Sequence, residues 1–258
     1  MDATTGLSVA QSQFRRRPTA YLMPVRPSDQ KFFGFMISAS GVARTDKVLD
    51  VACGTGAATL AFAERCAGAV GIDVLDEPLR RARTQAAERN ITNVEFALSE
   101  MERFAFGDGA FNGAICRFSF HHFVNPHKVF AEMARVVAPG GWIMISDMTA
   151  PEEIDQADLH NRMERLCDPT HARALPSSEF EKMFSDYGFR LAMKVARDSR
   201  ITVDEWVNFG GTTPEAAAEI RSMAAAAVAS GSASRFTRDG DTIKVTHSSV
   251  SFVIEKED

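Results

Sequence analysis

Residues 48–56 read Val48-Leu49-Asp50-Val51-Ala52-Cys53-Gly54-Thr55-Gly56. A short apolar run (47–52) ends in a glycine-bearing turn, and an alanine-rich, helix-compatible stretch (58–67) follows. The glycines let a backbone approach a ligand without side-chain clash. Strand-to-helix turns of this kind are where open α/β sheets bind their ligands. A dinucleotide fingerprint would need a third glycine where Thr59 stands, and no Gly-Lys-Ser/Thr phosphate loop is present.

Two acids restrict the ligand further. Asp50 precedes the first glycine by four positions, and a carboxylate there opposes a pyrophosphate but suits a cationic group. Asp73 ends the next apolar run, 69–74, where an acid hydrogen-bonds ribose hydroxyls in nucleoside-binding sheets. A nucleoside carrying an ammonium and a sulfonium, without phosphate, satisfies both. S-adenosylmethionine (SAM) is such a ligand.

The pattern extends outward from the loop. Apolar runs at 93–97, 111–117 and 141–147 alternate with helical stretches at 76–89 and 126–138, which implies a parallel sheet between helices. Polar helices are expected at 151–167 and 177–187, and an alanine-rich one at 214–229. Strands are expected at 189–196 and 242–254. In the last of these the apolar phase moves from Ile243 and Val245 to Val250, Phe252 and Ile254, which suggests a bulge near Ser248. The expected architecture is α/β: a Rossmann-like, seven-stranded, mostly parallel sheet with helices on both faces and a helical lid insertion. Its expected divisions are an N-terminal helical cover (1–40), a SAM-binding core (41–150), a lid (151–187) and C-terminal strands (188–258) with a helical insertion at 202–230. Residues 1–12 read as disordered.

Five ordered motifs carry a resemblance: D-V-A-C-G-T-G, G-I-D-V, L-S-E-M, I-C-R-F-S-F-H-H-F and A-P-G-G. Together they resemble the class I SAM-dependent methyltransferases. They are most similar to the small-molecule group related to ubiquinone and menaquinone biosynthesis methyltransferases. The resemblance is strong over 45–148 and weaker through 161–171 and 206–215. It implies that Ala52, Gly54, Thr55 and Gly56 pass beneath the methionine and ribose, and that Asp50 positions the methionine amine. It implies that Asp73 accepts the ribose hydroxyls and that Val74, Glu100 and Met101 hold the adenine, with Met101 covering the ring. Arg117 and Phe118 would lie beside the reactive methyl.

His121 and His122 follow the fourth strand. An imidazole can take a proton from a substrate hydroxyl, amine or carbon acid. On an extended segment the two would point apart, so one base is expected, His122 ahead of His121, with His171 on the lid as the reserve. The competing reading is that one histidine packs structurally and the other caps the following segment. Asn161, Glu164 and Asp168 share one face of the lid helix and, with His171, line either a substrate pocket or a solvated surface. Arg15, Arg16 and Arg17 form a basic run that reads as a helix end or an anion contact. Tyr21 falls where the family folds an aromatic residue over the cofactor.

Composition sets limits. The chain has 258 residues, 45% hydrophobic and 24% charged, with a net charge of −5. That balance is globular, and it disfavours wrapping nucleic acid. No Asn-Pro-Pro-Tyr-type tetrapeptide of amino-directed nucleic-acid methyltransferases occurs. The four cysteines show no zinc spacing, so no metal is expected. No run reaches the roughly 18 apolar residues of a membrane span, and no secretory leader is visible, so a cytoplasmic location is expected. The expected function is methyl transfer from SAM to a small-molecule substrate, with a homodimer left open. A non-methylating rearrangement or elimination on the same fold, or a non-catalytic SAM-binding module, is the alternative.

Overall fold

The computed structural model describes residues 27–209, 212–232 and 234–257. Arg15, Arg16, Arg17 and Tyr21 lie outside the described residues. The first described helix is α1 (Pro27–Ser40). Then come β1 (Lys47–Val51), α2 (Ala57–Ala63), β2 (Gly68–Asp73), α3 (Asp76–Glu88), β3 (Val94–Leu98) and β4 (Phe111–Arg117). A 3₁₀ turn, Phe120–His122, leads to α4 (Pro126–Val136), β5 (Val137–Thr149), α5 (Ile154–Cys167) and α6 (Ser177–Asp186). The chain continues through β6 (Phe189–Thr202), α7 (Val203–Phe209), α8 (Pro214–Ser230), β7 (Phe236–Asp239) and β8 (Thr242–Lys256).

One sheet runs in the order β3-β2-β1-β4-β5-β8-β6, with β7 also paired to β8. Pairing is parallel from β3 to β5 and antiparallel wherever β8 takes part. Central β1 is covered on both faces, which is why Val48, Leu49, Asp50 and Val51 are all buried and show no alternation. Along β5 the faces separate cleanly. Ile143 and Ile145 join one core with Phe130 of α4 and Phe180 and Phe184 of α6. Trp142 and Met144 join the opposite core with Phe33 of α1 and Phe62 of α2.

Two expectations need correction. The sheet has eight strands among the described residues, not seven. The extra one, β7, is a four-residue Phe-Thr-Arg-Asp segment with a single apolar residue, too short to show a period. No register break lies near Ser248; the irregularity is in β6, between Leu191 and Met193. The phase change in β8 arises because its two halves bury opposite faces. Val245 faces a small cluster with α5, α7 and α8, while Val250, Phe252 and Ile254 face the main core. The stretch 151–187 also serves two clusters: Met163 and Cys167 of α5 belong to the small one, Phe180, Met183 and Phe184 of α6 to the main one.

The main core fixes the segment after β4. Phe120 is fully buried. Its ring lies 5.2 Å from Phe123 and 5.6 Å from Phe180, which in turn meets Phe252 at 5.5 Å. Such ring pairs add about 0.5–1.5 kcal/mol each beyond area burial, and here they lock the backbone that carries His121 and His122.

Candidate active site

The glycine loop is built from left-handed backbone. Ala52, Gly54 and Gly56 have φ of 56°, 55° and 75°. Two of these positions have different reasons for glycine. A Cβ on Gly56 would lie 2.7 Å from the Phe96 ring and 2.9 Å from Ala82, so packing forbids it. A Cβ on Gly54 would meet nothing within 4 Å, so the loop offers a cradle there.

Asp73 ties this cradle to β2. One carboxylate oxygen accepts from Gly54 N–H at 2.8 Å, the other from Leu75 N–H at 2.9 Å. Burial raises its pKa against those backbone bonds. Asp50 is also buried, and its carboxylate accepts the Thr59 hydroxyl at 2.6 Å. Burial outweighs that bond and pushes the Asp50 pKa up to about 7. A buried acid poised at neutrality is ready to ionise when a cation arrives. Thr59, which by sequence only broke the dinucleotide fingerprint, thus holds the acid in place.

The expected adenine side lies at the adjacent strand ends. Ser99 N–H donates to Asp73 O at 2.9 Å, which brings Glu100 alongside Val74. Val74 is half-buried and Glu100 exposed. Met101 packs against the main core. Arg117 is sandwiched by rings, its guanidinium carbon 5.5 Å from Phe32, 5.2 Å from Phe33 and 5.2 Å from Phe118. Helix α1 therefore reaches the end of β4.

Past Arg117 the chain turns through Phe118 at φ 49°. Ser119 Oγ lies 3.5 Å from Ala52 O, so this turn abuts the glycine loop. Asp147, one residue beyond the last β4–β5 pair, organises it. Its Oδ2 accepts from Ser119 and Phe120 N–H at 2.9 and 2.6 Å. Its Oδ1 accepts from Met148 N–H at 2.7 Å and meets His121 Nδ1 at 2.5 Å. The contact defines the His121 tautomer: Nδ1 carries the proton donated to the carboxylate, and Nε2 keeps the lone pair of the neutral ring. Burial pulls the His121 pKa down, but the charge and bond of Asp147 prevail and raise it.

His121 and His122 share a 3₁₀ turn rather than an extended segment, so they do not point apart; their ring centroids are 4.0 Å apart. His122 Nδ1 lies 3.0 Å from Thr170 Oγ1, whose hydroxyl is donated to Asp168. Burial and the neighbouring His121 lower the His122 pKa to about 4. His171 Nε2 donates to Asn161 Oδ1 at 2.7 Å, because the Asn161 amide nitrogen is committed to Ala157 O and Ala174 O. The His171 ring stacks on His121 at 5.6 Å, and burial lowers its pKa to about 3. Ala172 and Arg173 N–H both donate to His121 O, which binds the loop after α5 to the turn. His171 thus meets the histidine pair directly, Asp168 reaches it through Thr170, and Asn161 reaches it through the His171 ring.

Residues 48–141 match the family described as a methyltransferase domain. The uncharacterised methyltransferase YcgJ of Bacillus subtilis is 32% identical over 190 residues, 71% of this chain and 75% of its own. Its crystal structure superposes with a TM-score of 0.80 at 27% identity, covering 88% of this chain and 98% of that one. The ubiquinone/menaquinone biosynthesis C-methyltransferase UbiE of Idiomarina loihiensis is 34% identical over 122 residues, 45% of this chain and 48% of its own.

The chain belongs to the class I SAM-dependent methyltransferases. The methyltransferase moves a methyl group from SAM to a small molecule. Its loop fits that donor: the open cradle at Gly54 lies between two buried acids, Asp50 and Asp73, and neither is neutralised by a salt bridge among the described residues. Among those residues no group of histidine, cysteine, aspartate or glutamate has the arrangement of a metal site. No described helix is long and apolar enough to cross a membrane. The methyltransferase residue that sequence reasoning missed is Asp147. The sequence marks it only as an acid closing the apolar run 141–147, as Asp50 and Asp73 stand late in theirs; its pairing with His121 is not visible there.

Proposed function

We propose that this methyltransferase acts on an acceptor whose proton is removed by His121, with Asp147 as the positioning partner. The observation that carries the reading is the 2.5 Å contact between His121 Nδ1 and Asp147 Oδ1, in a turn that touches the glycine loop. A base works best with a pKa near the working pH. His121 is held above its ordinary value, whereas His122 and His171 fall to about 4 and about 3. His122 then supports Thr170, and His171 orients the lid.

Bound SAM supplies a sulfonium-activated methyl group. The chain supplies the rest. Asp50 attracts the ammonium, Asp73 takes the ribose hydroxyls, and Ala52, Gly54, Thr55 and Gly56 let the backbone come close. Val74, Glu100 and Met101 flank the adenine, and Arg117 is held by α1 at the reacting end. Helix α5 and the loop to His171 act as the lid that excludes water, which strengthens each charge in the site. The four free thiols, three of them buried, support a reducing cytoplasmic setting.

Incubation with methyl-labelled SAM and a metabolite extract tests this reading. A labelled product heavier than its precursor by one CH₂ is expected, and His121→Asn should slow its formation by about 10²–10⁴-fold. A product of unchanged mass would instead favour a rearrangement on the same fold.

A further inference from the structure

Beyond the histidine turn, the lid encloses a second polar group. Glu164 and His160 on α5 are each only 6% exposed, yet Glu164 Oε1 and His160 Nε2 have no hydrogen-bond partner. His247 Nε2 and Arg235 Nη1 are also buried and unpartnered. Glu164 Oε1 stands 3.9 Å from His160 Nε2 and 3.4 Å from His247 Nδ1, without a hydrogen bond to either. The His247 ring is held by Trp206 at 4.8 Å. Arg235 spends Nη2 on Thr149 O at 2.7 Å and makes no ion pair with Glu164. A buried unpaired donor or acceptor costs about 1–3 kcal/mol, more if charged. Four in one place mark a site completed by something else.

We infer that Glu164 and Arg235, with His160 and His247, form the subsite that anchors the far end of the acceptor, and that it takes an uncharged amide or hydroxyl group. This inference rests on the methyltransferase reading. Arg235 also lines a cleft of about 460 Å³ with Glu152, Glu153, Gln156, Asp198 and Thr246, a size that suits a small organic molecule; Glu164, His160 and His247 are not part of that lining. Two carboxylates, Asp198 and Glu164, act on the Arg235 charge, so an anion entering here meets net repulsion. An ammonium has only donors, so it would leave the Arg235 Nη1 donor unpaired. A neutral group with one donor and one acceptor bridges the gap: it donates to Glu164 Oε1 and accepts from Arg235 Nη1. The subsite is coupled to the reacting end through α5, because Asn161, next to His160, holds the His171 ring that stacks on His121.

The test uses three probes of matched shape, benzamide, benzoate and benzylamine, titrated by NMR into the full-length protein saturated with S-adenosylhomocysteine. Benzamide is expected to bind about 10-fold more tightly than either charged probe. Glu164→Ala and Arg235→Ala should each weaken it by about 10-fold or more, the scale of a lost hydrogen bond to a charged group, while S-adenosylhomocysteine affinity stays unchanged. A preference for benzoate or benzylamine, equal binding of all three, or no binding of any overturns the inference and leaves the methyltransferase reading intact. Failure of S-adenosylhomocysteine itself to bind wild type overturns both. Where a variant fails to fold, the wild-type preference alone decides.

Discussion

His121 Nδ1 lies 2.5 Å from Asp147 Oδ1, and both side chains are buried at the junction of β5 with the turn after β4. The pair joins residues 26 positions apart. One carboxylate thereby sets the imidazole tautomer and also receives the backbone of Ser119, Phe120 and Met148.

The sign of the pH effect follows from this pair. Asp147 raises the His121 pKa above 6.5, and only the neutral ring accepts a proton. The acid limb of kcat should therefore lie above pH 6.5. Asp147→Asn removes the raising charge, so the limb should move to lower pH while kcat falls. His121→Asn should lower kcat by about 10²–10⁴-fold with little change in SAM affinity. Near-normal turnover in His121→Asn, on the acceptor identified by labelling, would assign the reaction to positioning alone.

With Asp50 proposed to face the ammonium of SAM, cofactor binding is expected to be proton-linked. The folded pKa of Asp50, about 7, stands above the ordinary 3.8, so the free enzyme binds a proton there that the ammonium of SAM should displace. Affinity should rise between pH 6 and 7.5, with proton release visible by calorimetry in buffers of different ionisation enthalpy. The same shift has a stability sign. A raised carboxyl pKa favours the folded state at low pH, and that contribution is lost as pH rises from about 4 to about 7. Asp50→Asn should therefore raise the melting temperature of the free protein at pH 8 relative to wild type.

The two glycines should separate stability from binding. Gly56→Ala meets Phe96 and Ala82 and keeps a left-handed φ, so it should cost about 2 kcal/mol or more of stability in denaturant titration. Gly54→Ala meets no protein atom and should cost only about 1–2 kcal/mol of backbone strain. Its main effect should be on SAM affinity, because the new methyl group fills the cradle. Equal stability losses would contradict this division.

Much of this was legible in the sequence for a physical reason. The strands β1 to β4 and the 141–147 part of β5 are short, mainly apolar runs ended by turn residues, and the acids late in β1 and β2 stand beside the glycines. Local spacing carries all of that. The partner of His121 was not legible, because Asp147 reaches the turn only through the parallel register of β4 and β5, which pairs Arg117 with Ser146. The histidine geometry was misjudged because Phe120, locked among aromatic rings, closes a 3₁₀ turn that no alternation reveals. In β8, two cores on opposite faces imitated a bulge. The spacing of Asn161, Glu164 and Asp168 places them on one helical face near His171, but leaves open whether that face is a pocket or a solvated surface. Their contacts with the histidine turn and with β8 depend on long-range packing.

The most direct test of the account is calorimetric titration of S-adenosylhomocysteine into wild type and Asp73→Asn. Wild type should bind in the micromolar range or tighter. Asp73→Asn should lose about 1.5–3 kcal/mol, the scale of hydrogen bonds to a charged group, while its melting curve shows a folded protein. Absence of binding to wild type, or an unchanged affinity in folded Asp73→Asn, would contradict the placement of the cofactor at the ends of β1 and β2.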